Sequence, residues 1–401
     1  MTDDPQFPDS YPMALRRMKQ LERKLEKNPE LYANVCKQID EYHDKGYAHI
    51  ATPEELDAIV SNKVWYLPLN VVLNLNKPGK VRLVWDAAAT VQGVSLNSQL
   101  LKGPDMLVSL VHVIGGFREY RIAIGGDLRE MYHQIKIISQ DRRFQHFLFR
   151  KDPSEPPREY IMDVATFGST SSPCSAQYVK NLNDQEFARQ YPEAAAAIIT
   201  RHHDYFDSVD TVEEAIKRAR EVKLIHQKGG FEIRNWISIS TKVLQSLGEK
   251  KQVSVVHITE DKATSHERVL GLIWDPELDE FSFSTQHRQE HLPYLRGDKR
   301  PSKRVVLSCV MGFFDPLGLL SPFTVHGKII VQHLWRSGCD WDDAINDECW
   351  GMWKRWIAVL PQLDNIRIQR CYLGDSLSSS VESVEVHIFT DASEHAYGCV
   401  S

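Results

Sequence analysis

Apolar side chains recur at helical spacing over residues 13 to 27 and 30 to 45, among Lys, Arg and Glu. That pattern predicts two amphipathic helices broken at Pro29 and stopped at Gly46. Thr52, Pro53 and Glu55 carry a capping-box signature and predict a short helix. From Val64 the pattern changes: "VWYLPLNVVLNLNKPGKVRLVWD" is β-branched and aromatic around the turn signal "NKPGK", which predicts a hairpin over 64 to 86. "GPDMLVSLVHVIGGF" reads as a helix opened by Pro104 and ended at Gly115 and Gly116, and "YRIAIGGDL" as a buried strand ending on Asp127. "FQHFLFR" and "EYIMDV" read as a strand pair, and Ser171, Ser172 and Pro173 open a helix of four or five turns. A second capping box, Thr211 to Glu214, starts a helix with Val212, Ala215, Ile216, Ala219, Val222 and Ile225 on one stripe and Gly229 as its stop.

Strand-like pieces follow at "GFEIRNW", "RVLGLIW" and "EFSFS", then a helical stretch over 302 to 360, then "EVHIFTDAS". In that last piece Val384, Val386 and Ile388 alternate as a half-buried strand. Helices and strands mix without a regular βαβ rhythm, so the expected class is α+β.

Composition narrows the class further. The chain has 401 residues, 42% of them hydrophobic, enough to bury more than one core. It carries no long apolar run and no visible signal peptide, so it is expected to be soluble and not membrane-bound. The net charge of −6 excludes a globally basic nucleic-acid binder and leaves only local contacts of that kind. Seven scattered cysteines without a CxxC pair fit a reducing, intracellular, cytoplasmic setting.

Two places carry candidate chemistry. Asp127 ends a buried strand, where a carboxylate is costly unless it is paired, binds a cation, or caps the following "REMYHQI" segment. The second place is "IITRHHDYFDSVDTVEEA", residues 198 to 215, with Asp204, Asp207 and Asp210. If residues 198 to 209 form a tight hairpin, a turn carboxylate can meet Asp127 and share two magnesium ions, as phosphoryl transfer requires.

The run "KPGKVRLVWDAAA", "SLNSQLLKGPDML", "DLREMYHQIKI", "FLFR", "FGSTSSP", "DSVDT", "KGGFEIRNW" and "RVLGLIWDPE" resembles, in order, the reverse transcriptase of BEL/Pao-type retrotransposon polyproteins. "FDPLGLLSPFTVHGKIIVQHLWRSGCDWDD" is similar to the region after that family's polymerase, and "FTDASEHAYGCV" to the first hairpin of its ribonuclease H. The resemblance implies a polymerase right hand of fingers, palm and thumb. Its parts would be a helical N-terminal extension (1–63), fingers and palm (64–295), a helical thumb or connection (296–375) and a truncated ribonuclease H-like strand pair (384–401). It implies RNA-directed DNA synthesis from dNTPs on an RNA template and DNA primer with Mg²⁺ or Mn²⁺, alongside other parts of the polyprotein.

Residue by residue, Lys80 and Arg82 match the fingers residues that grip the triphosphate, Asp127 the metal-binding aspartate of the first palm motif, and Tyr132 the ring that blocks a ribose 2′-hydroxyl. Phe167 and Gly168 match the loop against which base and template lie. Gly229 and Gly230 match the turn before a palm strand, and Leu270 to Trp274 the primer-grip hairpin.

The chain also departs from the pattern. The family places Tyr-x-Asp-Asp just before a segment like "DYFDSVDT", whereas here two histidines run directly into "DYFDS". The simplest alignment removes three residues, leaves Asp204 as the second aspartate and puts His203 at the principal metal-ligand position. The alternative register makes Asp207 the ligand, with Ser208 as its neighbour. Magnesium prefers hard oxygen donors over imidazole, so either register implies impaired catalysis. Asp391 matches the first nuclease carboxylate, with no others after it, so no nuclease activity is expected. The rival readings are a non-enzymatic nucleic-acid-binding module derived from a retrotransposon and, last, a metal nuclease on the His202 to Asp210 cluster.

Overall fold

The computed structural model describes residues 5–60, 62–73, 81–106, 108–200, 205–249, 256–258, 272–283, 289–372 and 385–400. The chain divides into two compact units. The first comprises residues 1–107, 127–204 and 221–234; the second comprises 108–126, 205–220 and 235–401. The division passes through a strand at Ile122–Leu128, a helix at Val212–Lys228 and a strand at Ile233–Ser238.

In the first unit the helices Tyr11–Leu25 and Pro29–Asp44 form where the periodicity places them. The Asn28 side chain accepts from Leu31 N, and Gly46 adopts a left-handed φ of 68° to end the second helix. Thr52 and Glu55 form the expected capping box ahead of Pro53–Asp57. Strands Leu69–Leu73 and Val81–Trp85 pair antiparallel; the turn between them, Lys80 included, lies outside the described residues. A second sheet runs in the order Ala48–Ile50, Arg158–Met162, His146–Phe149. Trp65, Leu83, Trp85, Phe147 and Met162 share one core with Phe7, Leu25 and Val35, so the N-terminal helices pack into the same body as the hairpin.

In the second unit Trp274, Phe281, Ile330, Leu334, Trp353 and Trp356 centre a core between a four-stranded sheet and the helices Lys303–Val310, Ser321–Arg336 and Asp347–Val359. The sheet includes Leu272–Asp275 paired with Glu280–Phe283; Leu270 lies outside the described residues. Arg370, wholly buried, donates to the carbonyls of Phe117, Tyr120 and Arg121 and to both oxygens of Asp279. A buried guanidinium is tolerable here because each of its nitrogens meets an acceptor.

Three local expectations are corrected. The helix expected from Pro104 to Gly116 is Leu110–Glu119, and it runs through both glycines. Mid-helix glycine costs about 1 kcal/mol relative to alanine. Here burial of Val113, Ile114 and Phe117, and a bond from Ser208 Oγ to Gly116 O (2.7 Å), offset it. Where a local hairpin is expected over 198 to 209, the described residues instead put Ile198 and Ile199 at the end of the helix Pro192–Ile199 and pair Tyr205–Val209 with Ile122–Gly126; residues 201–204 lie outside the described residues. At the C-terminus a hairpin forms as expected, but from Phe389–Ala392 and Tyr397–Val400. Val386 and Ile388 precede the strand and are 70% and 66% exposed, because no sheet packs against their alternating face among the described residues. Val384 lies outside them.

Candidate functional site

Four of the five expected nucleotide-binding residues are brought together inside the first unit. Arg82 stands on the strand Val81–Trp85, across from Val72, and its guanidinium lies 5.4 Å from the centroid of the Phe167 ring. Tyr132 meets the same ring edge to face at 5.0 Å. Tyr132 sits in a 3₁₀ turn, Met131–Gln134, after Glu130 turns left-handed at φ 45°. Asp127 is therefore not that segment's cap.

Glu130 is held in its turn by Lys45 at 2.8 Å and by the Tyr47 hydroxyl at 2.9 Å. Burial pushes its carboxyl upward, but these bonds outweigh burial and keep it below its ordinary value. Beneath Phe167 lies His133, 5.4 Å away and stacked on Tyr47 at 5.2 Å. Burial pushes the His133 imidazole down to about 4, so it packs as a neutral aromatic ring at neutral pH.

Gly168 makes the close approach that the sequence could only suggest. Its φ is 111°, and a Cβ there would collide with the Trp85 carbonyl oxygen. Trp85 N donates to Phe167 O at 3.2 Å, so strand Val81–Trp85 grips the loop directly. The next helix, Ser172–Phe187, opens one turn later, with Ser172 Oγ donating to Thr166 O at 2.8 Å.

One contributor had no role assigned from sequence. Asn97, in the "SLNSQLL" segment, donates from Nδ2 to Gly168 O at 3.0 Å and accepts from Thr170 N at 2.9 Å. The signal was the Ser95 to Ser98 spacing, a small capping box that fixes the four-residue helix carrying Asn97.

The carboxylates fall in different units. Asp127, the penultimate residue of its strand, has its side chain 27% exposed and Arg234 Nε at 3.5 Å. Nearby, Arg129 pairs with Glu232 through both backbone and side chain, each at 2.9 Å. Asp207 instead belongs to the second unit. It is 3% exposed, accepts from the Tyr205 hydroxyl at 2.9 Å and pairs with Arg218 at 3.1 Å. Its register partner is Ile124. In this structure the Asp207 carboxylate is engaged in a buried pair with Arg218.

His203 and Asp204 lie outside the described residues. Among the described residues no group of three or more His, Cys, Asp or Glu is gathered for a metal ion. Asp127 does offer the hard, partly exposed oxygen donor that Mg²⁺ prefers. All seven cysteines are free thiols, and no helix among the described residues is long and apolar enough to cross a membrane.

Residues 302–401 match the family model of the Pao retrotransposon-like RNaseH-like domain, which upholds the retrotransposon resemblance for the C-terminal quarter of the chain. The match begins at Ser302, so the three helices read as thumb or connection lie inside it. No curated protein gives a significant match. Among solved structures the chain is similar to a foamy viral protease-reverse transcriptase in complex with dsDNA, at TM-score 0.51 and 13% identity, over 82% of this chain and 57% of that one. It is similar to the same type of protein in complex with an RNA/DNA hybrid at TM-score 0.50 and 12% identity, over 84% and 38%. A third, the dRH form in complex with dsDNA, gives TM-score 0.50 and 12% identity over 82% and 48%. The chain thus has the mixed helix and strand fold of retroviral reverse transcriptases while spanning 38 to 57% of the length of those chains.

Proposed function

We propose that this chain is the polymerase region of a retroelement reverse transcriptase, descended from an RNA-directed DNA polymerase, with weak or absent catalysis of its own. The observation that carries the reading is the convergence of Arg82 and Tyr132 on Phe167 beside the Gly168 turn. A guanidinium suits triphosphate oxygens, an aromatic ring suits a sugar or base, and a glycine lets backbone approach a ligand closely. On this reading Lys80 and Arg82 bind the triphosphate, Tyr132 discriminates against a 2′-hydroxyl, and Phe167 and Gly168 seat the templating base pair. Residues 64–295 act as fingers and palm. Asp127 would hold a divalent cation, Mg²⁺ or Mn²⁺, which supplies charge stabilisation to the transferring phosphoryl group. The foamy viral relatives in complex with dsDNA and an RNA/DNA hybrid support an RNA template and DNA primer as partners. Other parts of a polyprotein would act alongside.

Impairment rests on the sequence. An imidazole at His203, in place of the carboxylate, leaves magnesium a poorer donor set, and each 1.4 kcal/mol lost is about tenfold in rate. Primer extension on an RNA template, with Mg²⁺ and then Mn²⁺, tests this. Wild type is expected to extend weakly or not at all and His203→Asp to extend faster. Robust wild-type extension would sink the impairment. Salt-dependent binding of primed template with no extension by His203→Asp would favour the non-enzymatic nucleic-acid-binding module.

A further inference from the structure

The Phe167 to Thr170 loop is built around the residue least able to hold its own shape. Gly168 loses more backbone freedom on folding than any other residue type, so something outside it must fix φ at 111°. We propose that Asn97 is the positioning residue for this loop, holding Gly168 where an incoming dNTP and its templating base lie against the backbone. This rests on the nucleotide-site reading above and extends it to a residue that reading does not use.

The argument is one of donor and acceptor chemistry. The Gly168 carbonyl can only accept and the Thr170 amide can only donate, two residues apart on one side of the loop. A primary amide is the side chain that presents one donor and one acceptor side by side. The two partners also fix which way the amide points. Asn97 thereby does for the loop what a paired strand would do, while Trp85 N holds Phe167 O from the other strand. Leucine has the shape but neither function, and aspartate keeps the acceptor while turning a carboxylate oxygen toward the Gly168 carbonyl.

Asn97 is itself braced. Its backbone N donates to Ala87 O at 2.9 Å, and the adjacent Leu96 is buried. Ser95 and Ser98 cap each other, Ser95 N to Ser98 Oγ at 3.0 Å and Ser98 N to Ser95 Oγ at 3.1 Å. A surface asparagine without such bracing would lose much of its bonding to side-chain entropy. The segment "SLNSQLL" therefore delivers a fixed amide to the rim of the Arg82, Phe167 and Tyr132 cluster.

The test compares wild type, Asn97→Ala and Asn97→Asp by hydrogen exchange and by titration of primed RNA template, then of dTTP onto that complex. Exchange over residues 164–172 is expected to rise about tenfold in Asn97→Ala with strand 146–149 unchanged, and dTTP affinity to fall by about tenfold at unchanged template affinity. Asn97→Asp, nearly isosteric and expected to fold, should lose at least as much dTTP affinity. Unchanged exchange in both variants, or equal losses of template and dTTP affinity, would overturn the proposal. A wild-type chain that binds primed template but no dTTP overturns the nucleotide reading itself, and with it this role, whatever exchange shows.

Discussion

Two aspartates, one in each unit, are set in opposite circumstances. Asp127 stands at a strand end, partly exposed, with an arginine at 3.5 Å. Asp207 stands mid-strand, almost wholly buried, with an arginine at 3.1 Å and a tyrosine hydroxyl at 2.9 Å. Both arginines look alike in sequence. Only the environment separates them: a buried carboxylate must be satisfied by fixed partners, whereas an exposed one can exchange a loose partner for a ligand. Asp207 is therefore tied into the fold, and Asp127 is the carboxylate that we propose for the chemistry.

Breaking the buried pair should have the largest effect. Asp207→Ala removes the buried carboxylate that the Arg218 guanidinium and the Tyr205 hydroxyl bond to, at a cost of about 3 kcal/mol of unfolding free energy. Asp207→Ala, Arg218→Ala and the double variant in urea titrations should give a coupling well above 1 kcal/mol; additive losses would show the pair to be incidental. Next comes Gly168→Ala, which meets both an unfavourable φ and the Trp85 carbonyl. It should cost about 2 kcal/mol in the same titrations. It should also weaken dTTP binding, and an alanine variant of wild-type stability would deny the close approach.

A smaller, pH-dependent effect is expected at His49, which bridges Asp163 at 2.7 Å and Glu55 at 3.1 Å. Burial lowers the His49 value, but the two carboxylates outweigh it and raise it. A raised folded-state value contributes stability fully below the ordinary histidine range, and that contribution is lost as pH rises through the raised value. The stability gap between wild type and His49→Gln should therefore narrow as pH rises above the ordinary histidine value of about 6.5. A gap that widens with pH would contradict the network. The smallest effect on stability belongs to Asp127→Asn, below about 1 kcal/mol, because its pair is half in solvent. A loss comparable to that of Asp207→Ala would erase the contrast between the two aspartates.

The sequence made legible whatever depends on neighbours within a turn or two. Of the predicted stripe, Ala215, Ala219, Val222 and Ile225 are fully buried and Val212 and Ile216 partly so, and both predicted capping boxes form. What it did not disclose depends on partners far along the chain. Tyr205–Val209 finds Ile122–Gly126 instead of a local hairpin mate, and that pairing sets which face Asp207 takes. Arg218, eleven residues on, decides what Asp207 does there. Leu110–Glu119 keeps its glycines because Ser208 bonds to one of them. The candidate site divides the same way. Arg82, Tyr132, Phe167 and Gly168 came from ordered motifs, but their convergence on one ring is a tertiary fact. Asn97 was passed over because a lone asparagine in a short segment carries no pattern until the loop that it holds is in place.

The contrast between the two aspartates meets its most direct test in primer extension on an RNA template by His203→Asp and by His203→Asp with Asp127→Asn, both at matched stability. The expected result is measurable extension by the first and none by the second. Extension that survives the loss of the Asp127 carboxylate would contradict the assignment of chemistry to that strand end.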